Sequence, residues 1–257
     1  MNARLPADFD PRTICLTMDV EWADAAVLAD FCALLDQRGL KATFFVTHDG
    51  VAVPGHERGI HPNFRASGDV MKAARAAAGL DEAALHERVV AGFKAFAPEA
   101  RGVRAHSLYY DSTLLPIYQR HGLEYDSSYQ IPLVPGLAPF WKEHDLLELP
   151  IYFNDYFELK TGATGCRLDK LALEAEGLKV INFHPNIVFL NAVTVAQYEA
   201  TKGFYRDPER LLAARQTGRG IRSLALDLLD RIAAAGLPTM TLGEINTLWR
   251  AHRGGSA

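Results

Sequence analysis

Asp19 and Glu21 stand two residues apart where the apolar run TICLTMDV ends. Side chains at i and i+2 of an extended strand share a face, so both carboxylates can address one site. In a barrel of strands and helices, functional side chains gather where strands end and loops begin, which is where this pair falls. The competing reading is that the two acids open the next helix, whose first turn favours negative charge. The same two-residue offset recurs at Arg104 and His106 in VRAHSLYY and at Asn182 and His184 in INFHP. His56 and His61, in PGHERGIHPNF, are five apart, and Pro62 disfavours helix there, which argues against a ligand pair on one helical face. An isolated loop histidine is by default a hydrogen-bonding or surface residue, and His61 gains a larger role only by converging with acids elsewhere. One carboxylate and two neutral imidazoles would suit zinc, cobalt or nickel and leave positions for water and substrate. Such ligands lie far apart in the sequence, so spacing alone does not establish the set.

Other chemistries lose ground by absence. The sequence has no GxSxG, HExxH or P-loop, and no GxGxxG follows a strand. Tyr109, Tyr110, Tyr125, Tyr129, Tyr152 and Tyr156 could stack on sugar rings, although aromatics at alternating spacing also fit a core. Cys15, Cys32 and Cys166 are odd in number, lack CxxC spacing and sit in or beside apolar segments, so buried structural thiols are expected. The net charge is −4 and no basic block occurs, which argues against nucleic acid. Arg206, Arg210, Arg215, Arg219 and Arg222 are interleaved with acids and apolar residues and read as a solvated helix face. No long uncharged apolar window predicts a membrane span, and MNARLPADFD lacks the basic-then-apolar pattern of a signal peptide. A cytoplasmic protein is expected; its oligomeric state is not specified.

The elements that must position these residues alternate. At 257 residues, 49% apolar and 23% charged, the chain reads as one soluble globular domain spanning 1–257. TICLTMDV, KATFFVT, RGVRAHS, LLELPIYF and LKVINF read as strands. AAVLADFCALLDQRG carries Val27, Leu28, Phe31, Leu34 and Leu35 at helical spacing and stops at Gly39. LDEAALHERVVAGFKAFA places Leu80, Leu85, Val89 and Phe93 on one stripe. TLLPIYQRHG is a short helix, SLALDLLDRIAAAG an amphipathic one ending at Gly236, and TMTLGEINTLWRAH supplies a last strand and helix. Strands linked through helices predict a parallel sheet or barrel. Residues 127–142 hold Pro132, Pro135 and Pro139 and read as a surface loop, and FLNAVTVAQYEATKGFYRDPERL is a second candidate lid. No internal repeat or linker breaks the chain.

Taken together, these motifs resemble the polysaccharide deacetylases of the NodB-homology group, carbohydrate esterase family 4, especially the WbmS-type members of O-antigen loci. The resemblance covers nearly all of the chain and implies a distorted NodB-like (β/α) barrel of about seven strands. TICLTMDVEW is similar to the first-strand motif and implies Asp19 as catalytic base and Glu21 as metal ligand. KATFFVT followed by PGHERGIH implies His61 as a second ligand, with His56 on a position that is not one. The family pattern continues H-T-x-x-H, whereas this chain reads His61-Pro62-Asn63-Phe64-Arg65, and Arg65 cannot bind a cation. Either the metal is held otherwise, with His106 the preferred substitute, or the site holds none. VRAHSLYY is similar to the motif whose arginine orients the base, implying that role for Arg104, and INFHP implies His184 as catalytic acid. YDSSY and LELPIY match stretches with mainly structural roles. Tyr109, Asn63 and Asn182 are candidate substrate contacts. The expected activity is metal-dependent N-deacylation, of an acetyl or formyl group, on an N-acylated amino sugar that is nucleotide- or lipid-linked. The alternatives are a degenerate barrel that binds glycan or assists a partner without catalysis, and a metal hydrolase of a non-sugar amide.

Overall fold

The computed structural model describes residues 5–66, 68–76 and 81–254; Leu80 of the expected helical stripe lies outside them. Nine strands form one sheet: β1 (Ile14–Asp19), β2 (Thr43–Val46), β3 (Glu57–Ile60), β4 (Gly102–Val103), β5 (Tyr125–Asp126), β6 (Phe140–Trp141), β7 (Leu147–Glu148), β8 (Ile151–Asn154) and β9 (Lys179–Phe183). The order across the sheet is β6-β7-β5-β4-β3-β2-β1-β9-β8, parallel except for the β6–β7 pair.

The count is nine strands, not about seven. Strands of two residues, such as β4 and β5, are too short for alternation to announce them, and Phe140–Trp141 adds an antiparallel edge inside the expected proline-rich loop. LLELPIYF, expected as one strand, is two. Pro150 has no N–H to give a ladder, and the chain changes partner around it: β7 pairs with β5, and β8 with β9. β8 is also tied to the segment that follows β5, since Ile151 donates its N–H to the Tyr129 carbonyl at 2.7 Å while registering with Val180 of β9. The strand expected in TMTLG is reduced to a single bridge between Thr239 and Ile14.

Every residue of β1 is buried, as expected for a parallel strand covered on both faces. Ile14, Leu16 and Met18 pack toward the helices, together with Val27, Leu28, Phe31 and Leu35 of α1 (Ala25–Asp36). Cys15 faces the other way, into a smaller cluster with Phe45, Tyr125, Leu147 and Val180. The inner face is therefore apolar at the base of β1 and β9 and turns polar toward their C-terminal ends, where Thr17 pairs with Asn182.

After α1, α2 (Asp69–Ala76) and α3 (Glu82–Phe96) lie between β3 and β4, α4 (Leu114–Arg120) between β4 and β5, and α5 (Asp155–Thr161) directly after β8. Asp24 and Asp81 cap α1 and α3 by accepting backbone N–H bonds, and Asn154 does the same for α5. After β9 come α6 (Pro185–Leu190), α7 (Val195–Glu199), α8 (Pro208–Ala213), α9 (Ile221–Ala235) and α10 (Leu242–Gly254). Gly236 ends α9 at φ 58°, a left-handed position that glycine tolerates without strain. Leu242, Ile245 and Trp249 of α10 seal the apolar end of the inner cluster. The arginine run is not a purely solvated face: Arg222 pairs with Asp30 of α1, and Arg215 lies over the Phe189 ring. All three cysteines are free, and burial raises the thiol pKa of each, so none is an activated nucleophile.

Candidate active site

Arg104, fully buried just past β4, organises the polar end of the inner face. Its Nη1 donates to Asp19 Oδ1 at 2.9 Å, Thr17 Oγ1 at 2.9 Å and Asn182 Oδ1 at 2.5 Å. Its Nε and Nη2 donate to the Ser127 carbonyl and hydroxyl, and the guanidinium lies 4.3 Å from the Phe45 ring centroid. Asn182 Nδ2 donates to the second Asp19 oxygen at 2.8 Å. Burial pushes the Asp19 carboxyl upward, but Arg104, His61 and His184 outweigh it and hold the pKa below its ordinary value. Asp19 is thus an ionised, oriented carboxylate.

Glu21 reaches the same site by a different route from the one expected. β1 stops at Asp19, and Glu21 and Trp22 take left-handed backbone at φ 50° and 56°. Such a conformation costs on the order of 1–3 kcal/mol in a non-glycine residue and tends to mark functional positions. The two acids converge through a turn, held where Trp22 donates its N–H to Thr47 Oγ1 at 3.0 Å, and not through strand alternation. Glu21 Oε1 lies 2.8 Å from His106 Nδ1 and 3.3 Å from His61 Nε2. His61, directly after β3, uses Nδ1 to donate to the Arg104 carbonyl at 2.6 Å. That bond orients the ring with Nε2 toward Glu21, as a metal-ligating histidine is oriented by its second nitrogen. His106 stands on a tight turn followed by Ser107 and Leu108 at positive φ. One ligand atom from each of Glu21, His61 and His106 lies within 4.8 Å of the others. Burial raises the Glu21 pKa, yet the two imidazoles pull it well below its ordinary value. An ionised carboxylate and two imidazoles form a donor set that fits a divalent transition metal.

His184 closes the third side. Its ring Nδ1 and backbone N–H contact the two oxygens of Asp155 at 2.5 and 2.8 Å, and its Nε2 lies 3.7 Å from Asp19 Oδ2. Burial works to lower the His184 pKa, but Asp155 first, then Asp19 and Glu21, raise it to about 9. Asp155 itself is pushed up by burial and pulled back by His184. The pair leaves an imidazolium at neutral pH with one N–H facing Asp19.

A cavity of about 460 Å³ opens over these groups, lined by Glu21, His106 and His184 and, further out, by Arg65, Lys160 and Lys202. The structure brings Asp19, Glu21, His61, Arg104, His106 and His184 together, with Asn182 bonded behind Asp19, and keeps the three candidate substrate contacts off the cavity wall. Tyr109 packs on Phe64 and His86. Asn63 caps its own loop by accepting the Arg65 N–H. Asn182 is fully buried behind Asp19. None of the three lines the cavity. His56 is not a ligand; it is buried against Phe44. Among the six tyrosines considered, only Tyr156 lines the cavity, joined by Tyr198 from the expected lid segment. Asp155 was missed. Its position one residue after a strand, on the same side as the strand-end histidine, was the available signal, but an acid opening a helix has a sufficient local explanation.

A family model described as WbmS-like polysaccharide deacetylase matches residues 16–202, a span that contains every residue of the site. No curated protein matches the chain in sequence. Among solved structures, a Bordetella bronchiseptica protein described as a polysaccharide deacetylase involved in O-antigen biosynthesis superposes with TM-score 0.73 at 26% identity, covering 88% of this chain and 96% of its own. A Mycobacterium smegmatis protein described as a polysaccharide deacetylase shares the fold at TM-score 0.57 and 17% identity, covering 97% of this chain and 95% of its own. With strands, cavity and sequence model in agreement, this chain belongs to the WbmS-like polysaccharide deacetylase family.

Proposed function

We propose that the protein is a metal-dependent N-deacylase that removes an acetyl or formyl group from an amino sugar of a surface-polysaccharide precursor in the cytoplasm. The observation that carries this reading is the convergence of Glu21, His61 and His106 donor atoms beside an ionised Asp19 and a charged His184. Glu21, His61 and His106 would hold a divalent ion, zinc first, cobalt or nickel otherwise. Such an ion polarises an amide carbonyl and lowers the pKa of water.

The protein's own groups supply the proton transfers. Asp19, held ionised by Arg104, accepts a proton from the attacking water. Arg104 and Asn182 bind both of its oxygens from behind, which fixes the carboxylate plane. His184 donates its Nε2 proton to the nitrogen of the breaking C–N bond, so the amine departs neutral and the acyl group leaves as a carboxylic acid. The proton on Asp19 then returns His184 to its charged form across their 3.7 Å separation.

The reading is tested by adding zinc or cobalt to purified protein and measuring acetate and formate released from N-acetylated and N-formylated nucleotide sugars and lipid-linked glycans. Release by wild type and its loss in Asp19→Asn are expected; no release from any of them, with Asp19→Asn indistinguishable from wild type, refutes it. A catalytically silent glycan binder would also tolerate His61→Ala with no change in metal content.

A further inference from the structure

The same cavity carries a second feature that the deacylation chemistry does not use. Arg65, Lys160 and Lys202 line it from three separate parts of the chain, and none forms an ion pair with a carboxylate among the described residues. Most other cations of this protein are paired, including Arg58, Arg101, Arg120, Arg222 and Arg250. The two lysines are instead steadied by aromatic faces. Lys160 Nζ lies 4.4 Å from the Tyr156 ring centroid, and Lys202 Nζ lies 4.2 and 4.8 Å from those of Tyr198 and Tyr205. Lys202 donates one bond, to the Tyr198 hydroxyl at 3.0 Å, which leaves two of its three donors for a ligand. The lining has two acids: Glu21 is engaged by imidazoles, and Glu199 pairs with none of the three cations.

Three like charges around one concavity repel unless something negative enters, and in a chain of net charge −4 their gathering is not a compositional accident. A guanidinium presents a planar fork that matches phosphate or carboxylate oxygens, while ammonium groups act as adaptable point charges. Resting on the deacylase reading, we propose that the cavity selects amino sugars bearing an anionic group, a phosphate or a ring carboxylate, which Arg65, Lys160 and Lys202 bind while the acyl nitrogen lies over Asp19 and His184. Arg65 then has a positive role: at the place where the family pattern has a ligand histidine, this chain puts a substrate-binding cation.

The test measures binding to the full-length, metal-loaded protein by calorimetry with three probes: N-acetylglucosamine, N-acetylglucosamine 1-phosphate and N-acetylglucosaminuronate. At least one anionic probe should bind tenfold or more tighter than the neutral sugar, and raising salt from 50 to 500 mM should erode most of that margin. Preference for the phosphate identifies a nucleotide- or lipid-linked precursor, and preference for the uronate identifies a ring carboxylate. Lys160→Gln and Lys202→Gln should each cost roughly tenfold for the preferred anion and leave the neutral sugar and the metal content unchanged. Equal binding of all three probes by wild type, or an undiminished anion preference in the Arg65→Gln, Lys160→Gln, Lys202→Gln triple variant, overturns the proposal. The two readings fail separately. Anion preference without acyl release removes the deacylase and leaves the anion site, whereas efficient release from neutral sugars with no preference does the reverse.

Discussion

Replacing Asp155 by Asn tests how the charge of His184 is set. Asparagine is nearly isosteric, and its Oδ1 still accepts the bond from His184 Nδ1, so the ring keeps its place while the negative charge disappears. The His184 N–H loses its acceptor on the second oxygen, at a cost of about 1 kcal/mol. In the native protein burial opposes the charged imidazole and Asp155 is the leading group that favours it, carrying the pKa from 6.5 to about 9. At about 1.36 kcal/mol per unit, that interval is roughly 3 kcal/mol favouring the imidazolium. The sign follows from a folded pKa raised above the unfolded one. The stabilisation is fully present below about pH 6.5 and is lost as pH rises through about 9. Without the carboxylate the midpoint moves back toward 6.5, and the protonated fraction falls about tenfold at pH 7.5 and about 80-fold at pH 8.5 relative to wild type. Histidine Hε1 shifts followed by NMR against pH read the midpoint without any substrate, and the alkaline limb of turnover should follow it. If the His184 midpoint in Asp155→Asn stays near that of wild type, the buried carboxylate does not set the charge. If it moves and the alkaline limb does not, His184 is not the proton donor.

Asp19→Asn should lower turnover by about 10²–10⁴-fold, the usual range for a general base, while metal content measured by plasma emission stays at the wild-type level. His106→Ala should weaken metal binding by more than the roughly 10–100-fold typical of losing a partner of a ligand, read by competition with a fluorescent chelator; wild-type affinity in the variant would remove His106 from the donor set. Arg104→Met strands a buried carboxylate and should destabilise the fold by about 3–5 kcal/mol in urea denaturation, with Asp19→Asn in the same background recovering part of the loss. A change below about 1 kcal/mol would mean that Arg104 is not the counter-ion of Asp19.

The site was legible wherever chemistry coincided with a strand end. The Asn182–His184 offset lies at the end of β9, whose apolar run is visible in the sequence, and the Arg104–His106 offset repeats the same spacing, so a common mouth could be argued before any coordinates. Three things were hidden. Asp155 begins a helix, where an acid is ordinary, and nothing local tells a dipole partner from a histidine partner. Lys160, Lys202 and Arg65 come from a helix end, a short turn and a loop, and their common cavity is a tertiary fact without a periodic signature. The expected alternation of Asp19 and Glu21 was right about convergence but not about its cause, because strand periodicity cannot foresee a left-handed turn at a non-glycine residue. The strand count suffered likewise from two-residue ladders that only pairing partners define.

The split of residues 147–154 around Pro150 decides how His184 meets its carboxylate partner. Asn154 sits opposite Asn182 in the β8–β9 ladder, so the residues just past the two strand ends bring Asp155 within hydrogen-bond distance of His184. A one-residue insertion after Pro150 would change the phase of β8 by half a pleat and turn the acid to the far side of the sheet. The sheet would still curl, yet the imidazole would face the cavity without its counter-charge: the phase of one four-residue ladder sets the acidity of a group at the end of the neighbouring strand.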